Sequence, residues 1–325
     1  MASADRAELT GVVLDHRFHL GRMLGIGGTS VVFEADDLET GRAVVVKVLR
    51  DMFAFNVELI RRMRREAEVA QRVAHPGIVP VYAEGMLDDG SPYLVLERLD
   101  GECCARLLRR IGPLPAHQVA TIALRAAAIL HASHARGYVH RDVKPEHIVL
   151  ARTHDGHLDV RLLDFGVCAS DFALEDERRA ERGRVYGTPA YCSPEQAKGK
   201  PDVDARADVF SLGTTMFELM AGRVPFTGDN VANLLRRIIR EDAPRLGLLL
   251  PDLDLRYDFV VSRAMARAPE DRFSSARALA RALLPLVRDR RETERELAGL
   301  VRHRPVRNQD GVATVREDLS HLAVA

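Results

Sequence analysis

The stretch Tyr138-Val139-His140-Arg141-Asp142-Val143-Lys144-Pro145-Glu146-His147 decides how this 325-residue chain is interpreted. It contains a carboxylate at Asp142, an ammonium group two residues later and an imidazole at its end. Three further motifs follow in this order: Leu163-Asp164-Phe165-Gly166, Gly187-Thr188-Pro189 and Ser193-Pro194-Glu195. A His-Arg-Asp triplet alone would mean little, so its interpretation depends on these three motifs and on the sequence that precedes the triplet.

A glycine-rich stretch precedes these motifs, at Leu24-Gly25-Ile26-Gly27-Gly28-Thr29-Ser30-Val31-Val32. Glycines allow a backbone to approach phosphate groups closely and to present N–H groups to them. The same pattern is equally typical of a plain hairpin turn, and the stretch alone does not separate the two interpretations. A dinucleotide-binding motif is disfavoured because it opens a helix, whereas residues 31–34 continue as a strand. A Walker loop is excluded because Gly-Lys-Ser and Gly-Lys-Thr are absent.

Lysine is scarce in this chain, since it fills only four of the 47 basic positions, at 47, 144, 198 and 200. Lys47 ends a valine-rich strand, and Glu66 follows nineteen residues later on a predicted helix. A lysine that faces phosphate oxygens needs an anion to hold it, and Glu66 can supply one. The alternative is a surface lysine and a surface glutamate. Because lysine is scarce in this chain, its presence at 47 and 144 indicates that these two positions require a compact ammonium group.

Composition excludes several classes of protein. The 47 basic residues equal the 47 acidic ones, which argues against a nucleic-acid partner, and 46% hydrophobic content excludes disorder throughout. No apolar run approaches the roughly 20 residues of a membrane helix, and residues 1–8 lack a signal-peptide pattern. We therefore expect a cytoplasmic protein with no membrane partner. The four cysteines, Cys103, Cys104, Cys168 and Cys192, are expected to be reduced thiols.

The hydrophobic pattern divides the chain into two parts. Short valine-rich runs predict five strands of an antiparallel sheet, at His16–Leu24, Val31–Asp37, Ala43–Leu49, Ile78–Met86 and Pro92–Arg98. One helix is predicted between the third and fourth strands, over Phe55–Ala74, with a solvated basic face. After Gly101 the sequence predicts mainly helices, among them Ala116–Arg136, Ala205–Ala221, Asn230–Arg240 and Ser274–Leu284. Residues 285–325 are predicted to form one exposed helix and a loose tail.

Together these motifs resemble the protein kinase family, and closely the eukaryotic-like serine/threonine kinases of bacteria. Five motifs in one order, over residues 16–284, make chance agreement negligible. The resemblance implies an α+β, two-lobed kinase fold with an antiparallel-sheet N-lobe (16–99) and a larger, mainly helical C-lobe (100–284). An N-terminal extension (1–15) and a C-terminal helix and loose tail (285–325) flank it. The lysine after Asp142 and the Gly187-Thr188 pair match serine/threonine rather than tyrosine kinases.

The resemblance also implies roles for individual residues. Asp142 would orient the substrate hydroxyl and accept its proton, and Lys144 would stabilise the transferring phosphate. Lys47, paired with Glu66, would anchor the other phosphates of ATP. The metal ligands would be Asp164 and His147, and the nucleotide would contact Leu24, Gly25, Ile26, Gly27, Gly28, Thr29, Ser30, Val32, Val45, Lys47, Glu97 and Leu99. The resemblance assigns scaffold roles to a Glu195–Arg272 ion pair and to Asp208, which would brace the loop around Asp142.

The sequence departs from the family pattern at three positions. His147 replaces an asparagine that binds the second metal, and imidazole is a poor Mg²⁺ ligand that suits Mn²⁺ or Zn²⁺ better. Ser30 replaces the third loop glycine, and Val45 replaces an alanine against adenine. We expect an ATP-dependent enzyme that acts on serine or threonine in proteins and uses Mg²⁺, with Mn²⁺ as the alternative metal. The rival interpretation, which His147 and Val45 favour, is a pseudokinase that binds nucleotide and acts as a scaffold.

The segment between Asp164 and Gly187 is acidic and carries few hydroxyl groups. Related kinases phosphorylate a threonine there, which pairs with the arginine before the catalytic aspartate. One hypothesis is that an acidic side chain among Glu175, Asp176, Glu177 and Glu181 meets Arg141 instead of that phosphate. A solvated loop is the alternative. The sequence indicates neither an oligomeric state nor a particular protein substrate.

Overall fold

A computed structural model describes residues 6–153, 157–170 and 183–302. These residues divide after Asp100 into two units, which we call unit 1 (residues 6–100) and unit 2 (residues 101–302). The division lies one residue from the expected boundary between 99 and 100. Across the described ranges, no helix combines the length and the apolar character needed to cross a lipid bilayer.

Unit 1 is built on a six-stranded antiparallel sheet with strand order β1-β2-β3-β4-β6-β5. Its strands are β1 (Val13–Leu14), β2 (Phe18–Ile26), β3 (Ser30–Asp37), β4 (Ala43–Leu49), β5 (Val81–Met86) and β6 (Pro92–Glu97). All five predicted strands are present, and β1 is an addition. It was missed because a two-residue strand carries too little alternation to be recognised in the sequence.

Two strands begin later than predicted, for local reasons. Asp15 and His16 both have positive φ, 47° and 55°, and form the tight turn from β1 to β2, so β2 begins at Phe18 instead of His16. The fourth predicted strand begins at Val81 instead of Ile78. Pro80 has no N–H group to donate to a strand neighbour, which delays the start of this strand.

The core of unit 1 lies on one face of the sheet. Phe33, Val44 and Val46 are among its buried residues, and alternate residues of the same strands point to the opposite face. Helix α1 (Val57–Arg72) connects β4 to β5, and the Asn56 side chain caps it by accepting a hydrogen bond from the Leu59 N–H. Its buried face includes Met63, Glu66, Ala67 and Val69. The arginines of its predicted basic face are exposed or half-buried, as expected of a solvated face.

Unit 2 combines two small sheets with a set of helices. Strands β7 (Gly101–Cys103), β9 (Ile148–Arg152) and β10 (Leu158–Leu162) form one sheet, and β8 (Tyr138–Val139) pairs with β11 (Ala169–Ser170) in the other. The helices are α2 (Cys104–Ile111), α3 (Ala116–His134), α4 (Pro194–Ala197), α5 (Arg206–Ala221), α6 (Val231–Arg240), α7 (Leu246–Leu249), α8 (Leu255–Ala264), α9 (Ala276–Leu283) and α10 (Arg290–Leu300). The four predicted helices match within two residues at each end.

Helix α3 is the central element of unit 2 and contacts α5, α9 and α10. It is buried over most of its length, and its many alanines allow neighbouring helices to approach closely. Short strands β8 and β9 follow it and bound the segment that contains Asp142. This loop, residues 140–147, is therefore anchored at both ends by paired strands.

The helix predicted beyond residue 284 is present as α10, but it is not simply exposed. Leu297, Ala298 and Val301 are buried, and the Arg125 guanidinium of α3 lies 2.6 Å from the Glu294 carboxylate. The expectation of an exposed helix was wrong in this respect. Few residues of α10 are large and apolar, so the sequence did not reveal that Leu297 and Ala298 of this helix, and Val301 just after it, are buried.

Candidate functional site

Lys47 and Glu66 form an ion pair inside unit 1. Lys47 lies near the end of β4, on the sheet face opposite the core, and Glu66 lies on the buried face of α1. The Lys47 Nζ donates to Glu66 Oε2 at 2.6 Å, and both side chains are largely buried. The surface alternative for this pair was therefore wrong. A buried carboxylate in this position holds the ammonium group in one orientation.

The glycine-rich stretch is the turn between β2 and β3. Ile26 ends β2, Ser30 begins β3, and the Gly27 N–H donates to the Ser30 carbonyl at 2.8 Å. The turn residues Gly27, Gly28 and Thr29 are exposed, and Arg50 Nη1 donates to the Gly28 carbonyl at 3.2 Å. The stretch is therefore a hairpin turn, and its contact with phosphate groups stays a prediction.

Other predicted nucleotide-contact residues share one face of the same sheet. Val32 pairs with Lys47 across the β3–β4 ladder, and Val45 lies two residues before Lys47, so all three point to the same side. Leu24 and Gly25 lie near the end of β2, and Glu97 ends β6 with Leu99 two residues beyond it. Unit 1 thus gathers the glycine turn, two valines and one ammonium group on connected strands.

The 140–147 loop of unit 2 is held by a buried carboxylate. Asp208, on α5, accepts hydrogen bonds from the backbone N–H groups of His140 and Arg141, both at 2.8 Å. His134 Nε2 lies 2.7 Å from the same carboxylate. Burial opposes ionisation of Asp208, but the His134 hydrogen bond and further polar contacts outweigh it and lower the pKa of this group. Asp208 therefore contacts the backbone that it was expected to brace.

Both oxygens of the Asp142 carboxylate accept hydrogen bonds. Its Oδ2 accepts from Lys144 Nζ at 2.8 Å, and its Oδ1 accepts from the Thr188 N–H at 2.7 Å. Burial opposes ionisation, but the basic groups of His147 and Lys144 and these hydrogen bonds outweigh it, so the pKa of Asp142 lies below its ordinary value. The site therefore contains an ionised, oriented carboxylate at neutral pH.

Thr188 and Gln196 belong to this site, although we did not single them out as site residues from the sequence. The Thr188 hydroxyl accepts from Lys144 Nζ at 2.5 Å. The Gln196 side-chain amide donates to the Arg141 carbonyl at 2.8 Å and is buried in α4. Thr188 stands in a motif that we used only to assign substrate class. Gln196 carried no sequence signal, because its role depends on a contact 55 residues away in the chain.

His147 and Asp164 lie next to each other in unit 2. His147 Nδ1 lies 2.9 Å from the Asp142 carbonyl, and Nε2 lies 3.6 Å from Asp164 Oδ2. Burial lowers the pKa of His147 to about 4, against the opposing charge of Asp164. The ring is therefore neutral at pH 7 and can act as a ligand. The structure thus places one nitrogen and one carboxylate oxygen of the two predicted metal ligands 3.6 Å apart.

The backbone at both ends of this cluster is strained. Arg141 and Asp164 have φ values of +65° and +61°, in a region that costs L-residues about 1–2 kcal/mol. The Gly166 N–H donates to Asp164 Oδ1 at 3.3 Å, and such a local bond makes this conformation more accessible to aspartate. Phe165, which lies between Asp164 and Gly166 in sequence, is buried and contacts the His140 ring, with the ring centroids 4.4 Å apart.

The remaining candidates have structural explanations. His134 on α3 contacts Asp208, and its spacing from His131 therefore has a structural explanation. Cys103 immediately precedes α2, and Cys104 is the first residue of this helix. All four cysteines are free thiols. The acidic residues of the segment hypothesis, 175–177 and 181, lie outside the described residues.

The scaffold ion pair predicted in unit 2 is present. Arg272 Nη1 and Nη2 donate to the two oxygens of Glu195 at 2.7 and 2.8 Å, and the arginine side chain is fully buried. Arg272 also donates to the carbonyls of Ala266, Arg206 and Arg267. A guanidinium with this many partners fixes α4 against the segment before α9.

Comparison with known proteins agrees with this geometry. The family model described as "Protein kinase domain" matches residues 18–300. A probable serine/threonine-protein kinase of Corynebacterium efficiens is 40% identical over 281 residues, which cover 84% of this chain and 41% of that protein. The serine/threonine-protein kinase PknB of Mycobacterium leprae is 38% identical over 267 residues, which cover 81% of this chain and 42% of that protein. The chain thus spans about two fifths of the length of the curated relatives it matches.

A solved structure extends the similarity to three dimensions. The kinase domain of Mycobacterium tuberculosis PknI is 33% identical and superposes with a TM-score of 0.66, covering 85% of this chain and 98% of that domain. This match confirms the predicted α+β kinase fold. The motif order, the fold and the relatives agree, and the chain therefore belongs to the protein kinase family, among the bacterial serine/threonine-protein kinases.

Proposed function

We propose that this chain transfers the γ-phosphate of ATP to serine or threonine hydroxyls of protein substrates. The observation that carries the proposal is the environment of Asp142, whose two oxygens accept hydrogen bonds from Lys144 and from the Thr188 backbone. A carboxylate held in this way stays ionised and keeps one orientation. It can therefore receive a hydroxyl hydrogen bond and accept the proton as the phosphate is transferred.

The two lysines have complementary parts in this proposal. Lys144 is held between Asp142 and the Thr188 hydroxyl, so its charge is available next to the reacting hydroxyl. It would neutralise negative charge on the transferring phosphate. Lys47, oriented by Glu66, would bind the phosphates that are not transferred. A compact ammonium group suits both tasks because it can follow a moving oxygen.

A divalent ion and the nucleotide complete the proposed site. Asp164 and His147 would hold the metal, generally Mg²⁺ in this family, with Mn²⁺ as the alternative. Such an ion, when bound, neutralises phosphate charge and orients the nucleotide. The glycine turn, Val32, Val45 and the backbone of Glu97 and Leu99 would contact the nucleotide. Because ATP is supplied inside cells and the cysteines are free thiols, we place this domain in the cytoplasm.

The relatives described above do not favour the alternative of an inactive scaffold. The carboxylates and lysines on which transfer depends are all present and, within each unit, in contact with their expected neighbours. The departures at His147 and Val45 concern the metal and the adenine pocket, and neither removes the base.

A transfer assay tests the proposal. The purified chain is incubated with γ-labelled ATP and a generic basic protein, under Mg²⁺ and then under Mn²⁺, beside Asp142→Asn and the exposed control Asp252→Asn. We expect label on serine or threonine of the acceptor, a loss of about 100-fold or more in Asp142→Asn, and no change in the control. Absence of transfer by the native chain under both metals contradicts the proposal.

A further inference from the structure

The side-chain amide of Gln196 is bonded at both ends, and only one orientation satisfies these bonds. Its Oε1 accepts from the Ser193 backbone N–H at 3.1 Å and from the Ser193 hydroxyl at 3.0 Å. Its Nε2 donates to the carbonyl of Arg141 at 2.8 Å and to that of Tyr186 at 3.3 Å. A backbone N–H can only donate and a carbonyl can only accept, so the reversed amide would lose the bonds at both ends. Gln196 is 3% exposed, so water does not replace them.

The two carbonyls that Gln196 binds belong to the two segments on either side of Asp142. The Arg141 carbonyl lies in the peptide group that joins Arg141 to Asp142. The Tyr186 carbonyl lies one peptide group before the Thr188 N–H, which donates to Asp142 Oδ1 at 2.7 Å. One side chain of α4 therefore connects the 140–147 loop to the segment that supplies a hydrogen-bond donor to its carboxylate.

The backbone at Arg141 needs support from both sides. Its φ is +65°, a left-handed conformation that L-residues rarely adopt. Asp208 holds the N–H side of this residue at 2.8 Å, and Gln196 holds its carbonyl side. A strained conformation persists only where the surrounding structure fixes it. Without Gln196, the peptide group before Asp142 loses its hydrogen-bond donor and can rotate, which moves the carboxylate relative to Thr188.

We propose that Gln196 is a positioning residue for phosphate transfer, because it ties both segments to α4 and so sets the separation of the Asp142 carboxylate from the Thr188 N–H. This inference rests on the proposed function for its effect on rate, since a rate effect requires Asp142 to act as the base. The effect on the position of Thr188 does not depend on any reaction. The proposed phosphate anchor, Lys47, lies in unit 1, so the loss of Gln196 should lower kcat more than it changes the KM for ATP.

The Thr188 amide proton reports its bond to Asp142 without turnover. The protein is labelled with ¹⁵N at threonine, and the Thr188 signal is assigned by its loss in Thr188→Ser. An amide that donates to a carboxylate gives a downfield proton signal and exchanges slowly with solvent. In Gln196→Met we expect this signal to move upfield and its exchange to become about 10-fold faster or more. An unchanged Thr188 signal in this variant overturns the proposal.

Gln118→Met is the matched control. Gln118 is also a buried glutamine of unit 2, but it lies on α3 and its amide donates to Glu296 of α10. Its replacement should leave the Thr188 signal where it is in the native chain. The same displacement in both variants would show a general loosening of unit 2 and would contradict a specific role for Gln196.

Steady-state kinetics gives the second measurement. Per folded molecule, kcat of Gln196→Met should fall by about 10-fold or more, because a small misplacement of the base is costly, and the KM for ATP should stay within about 2-fold of the native value. Gln118→Met should keep the native kcat. An equal fall in both variants, or a change confined to the KM for ATP, overturns the positioning role.

Gln196→Asn keeps the test decisive if the methionine variant does not fold. Asparagine retains an amide on α4 but is one methylene shorter, so it cannot bind Ser193 and the two carbonyls together. It should displace the Thr188 signal and lower kcat in the same direction, and native values of both would overturn the proposal. If the native chain transfers no phosphate, the proposed function fails, whereas the Thr188 signal still decides whether Gln196 positions this segment.

Discussion

Gly187 illustrates how a single residue controls the geometry around Asp142. Its φ is +91°, and a Cβ atom there would lie 2.5 Å from the Arg141 carbonyl oxygen. The next residue, Thr188, donates its backbone N–H to Asp142. Only glycine allows the chain to pass this close to the 140–147 loop. The hydrogen bond between the Thr188 N–H and Asp142 therefore depends on the absence of a side chain at position 187.

Replacement of Gly187 by alanine should therefore reduce transfer more than it reduces stability. The added methyl group must displace the Arg141 carbonyl or the Thr188 amide, and we expect kcat to fall by about 10-fold or more. Gly112→Ala is the matched control, because Gly112 also has positive φ, +81°, but its Cβ would meet nothing within 4 Å. That variant should lose about 1–3 kcal/mol in urea unfolding, because its backbone conformation is strained for alanine, and keep its activity. Equal activities of the two variants would contradict this role for Gly187.

His147 also determines a pH dependence of stability. Its pKa is about 4 in the folded chain and about 6.5 as a free side chain, because burial disfavours the charged ring. Between these values the unfolded chain binds a proton that the folded chain does not, so stability falls as pH decreases from about 6.5 to about 4. Without divalent metal, urea unfolding should show a loss on the order of 2 kcal/mol between about pH 7 and pH 5.

The variant His147→Asn has no proton to bind at this position. Its stability should therefore change less over the same pH range than that of the native chain. The other titratable groups are the same in both proteins, so the difference between the two pH profiles reports the contribution of His147. Parallel pH profiles of the two proteins would show that His147 titrates normally in the folded state.

At the scale of elements, α10 is a part of unit 2 and not an appendage to it. Besides the Arg125–Glu294 pair, the Gln118 amide donates to Glu296, and an Arg110 Nη atom donates to the carbonyl of Leu300 at 2.6 Å. The family match also ends at residue 300. Helix α10 therefore packs against α3 as part of unit 2.

We expect Leu297→Ala to destabilise unit 2. Leu297 is fully buried, and removal of a buried leucine side chain costs about 2–5 kcal/mol, depending on how far the cavity collapses. Arg295→Ala, an exposed position on the same helix, should cost less than about 0.5 kcal/mol. Urea unfolding of both variants measures the difference. Similar losses would mean that α10 does not pack as described.

At the scale of the whole molecule, residues far apart in sequence hold unit 2 together. Glu195 and Arg272 are 77 positions apart and form a buried, two-bond ion pair. A pair of this kind contributes little net stability when compared with apolar residues, but the loss of one member leaves a buried charge without compensation. Its place between α4 and α9 connects the segment after Thr188 to the C-terminal helices.

Removal of one partner should therefore be more damaging than removal of both. Arg272→Met should destabilise unit 2 by about 3–5 kcal/mol, and Glu195→Gln combined with Arg272→Met should recover part of that loss. Urea unfolding of the single and double variants forms a thermodynamic cycle. A purely additive cycle would show that the two side chains do not depend on each other.

Local patterns were enough to predict most of the fold. The short valine-rich runs of β3 and β4 predicted strands because β-branched residues favour an extended backbone, and the longer Ala- and Leu-rich runs predicted the helices α3 and α5. The small strands of unit 2 were not predicted. Strands of two to five residues contain too few alternations to be recognised, and their existence depends on partners distant in the chain.

The sequence by itself determined the family, the fold class and the identity of the charged residues, because motif order and residue type are properties of the chain before it folds. Tertiary structure decided which of these residues meet. It brought Thr188 to Asp142, Gln196 to the Arg141 carbonyl and Arg125 to α10 across 46, 55 and 169 positions. It also placed the His147 ring beside the backbone carbonyl of Asp142. Hydrogen bonds act over about 3 Å, and only folding brings groups so far apart in sequence to that distance.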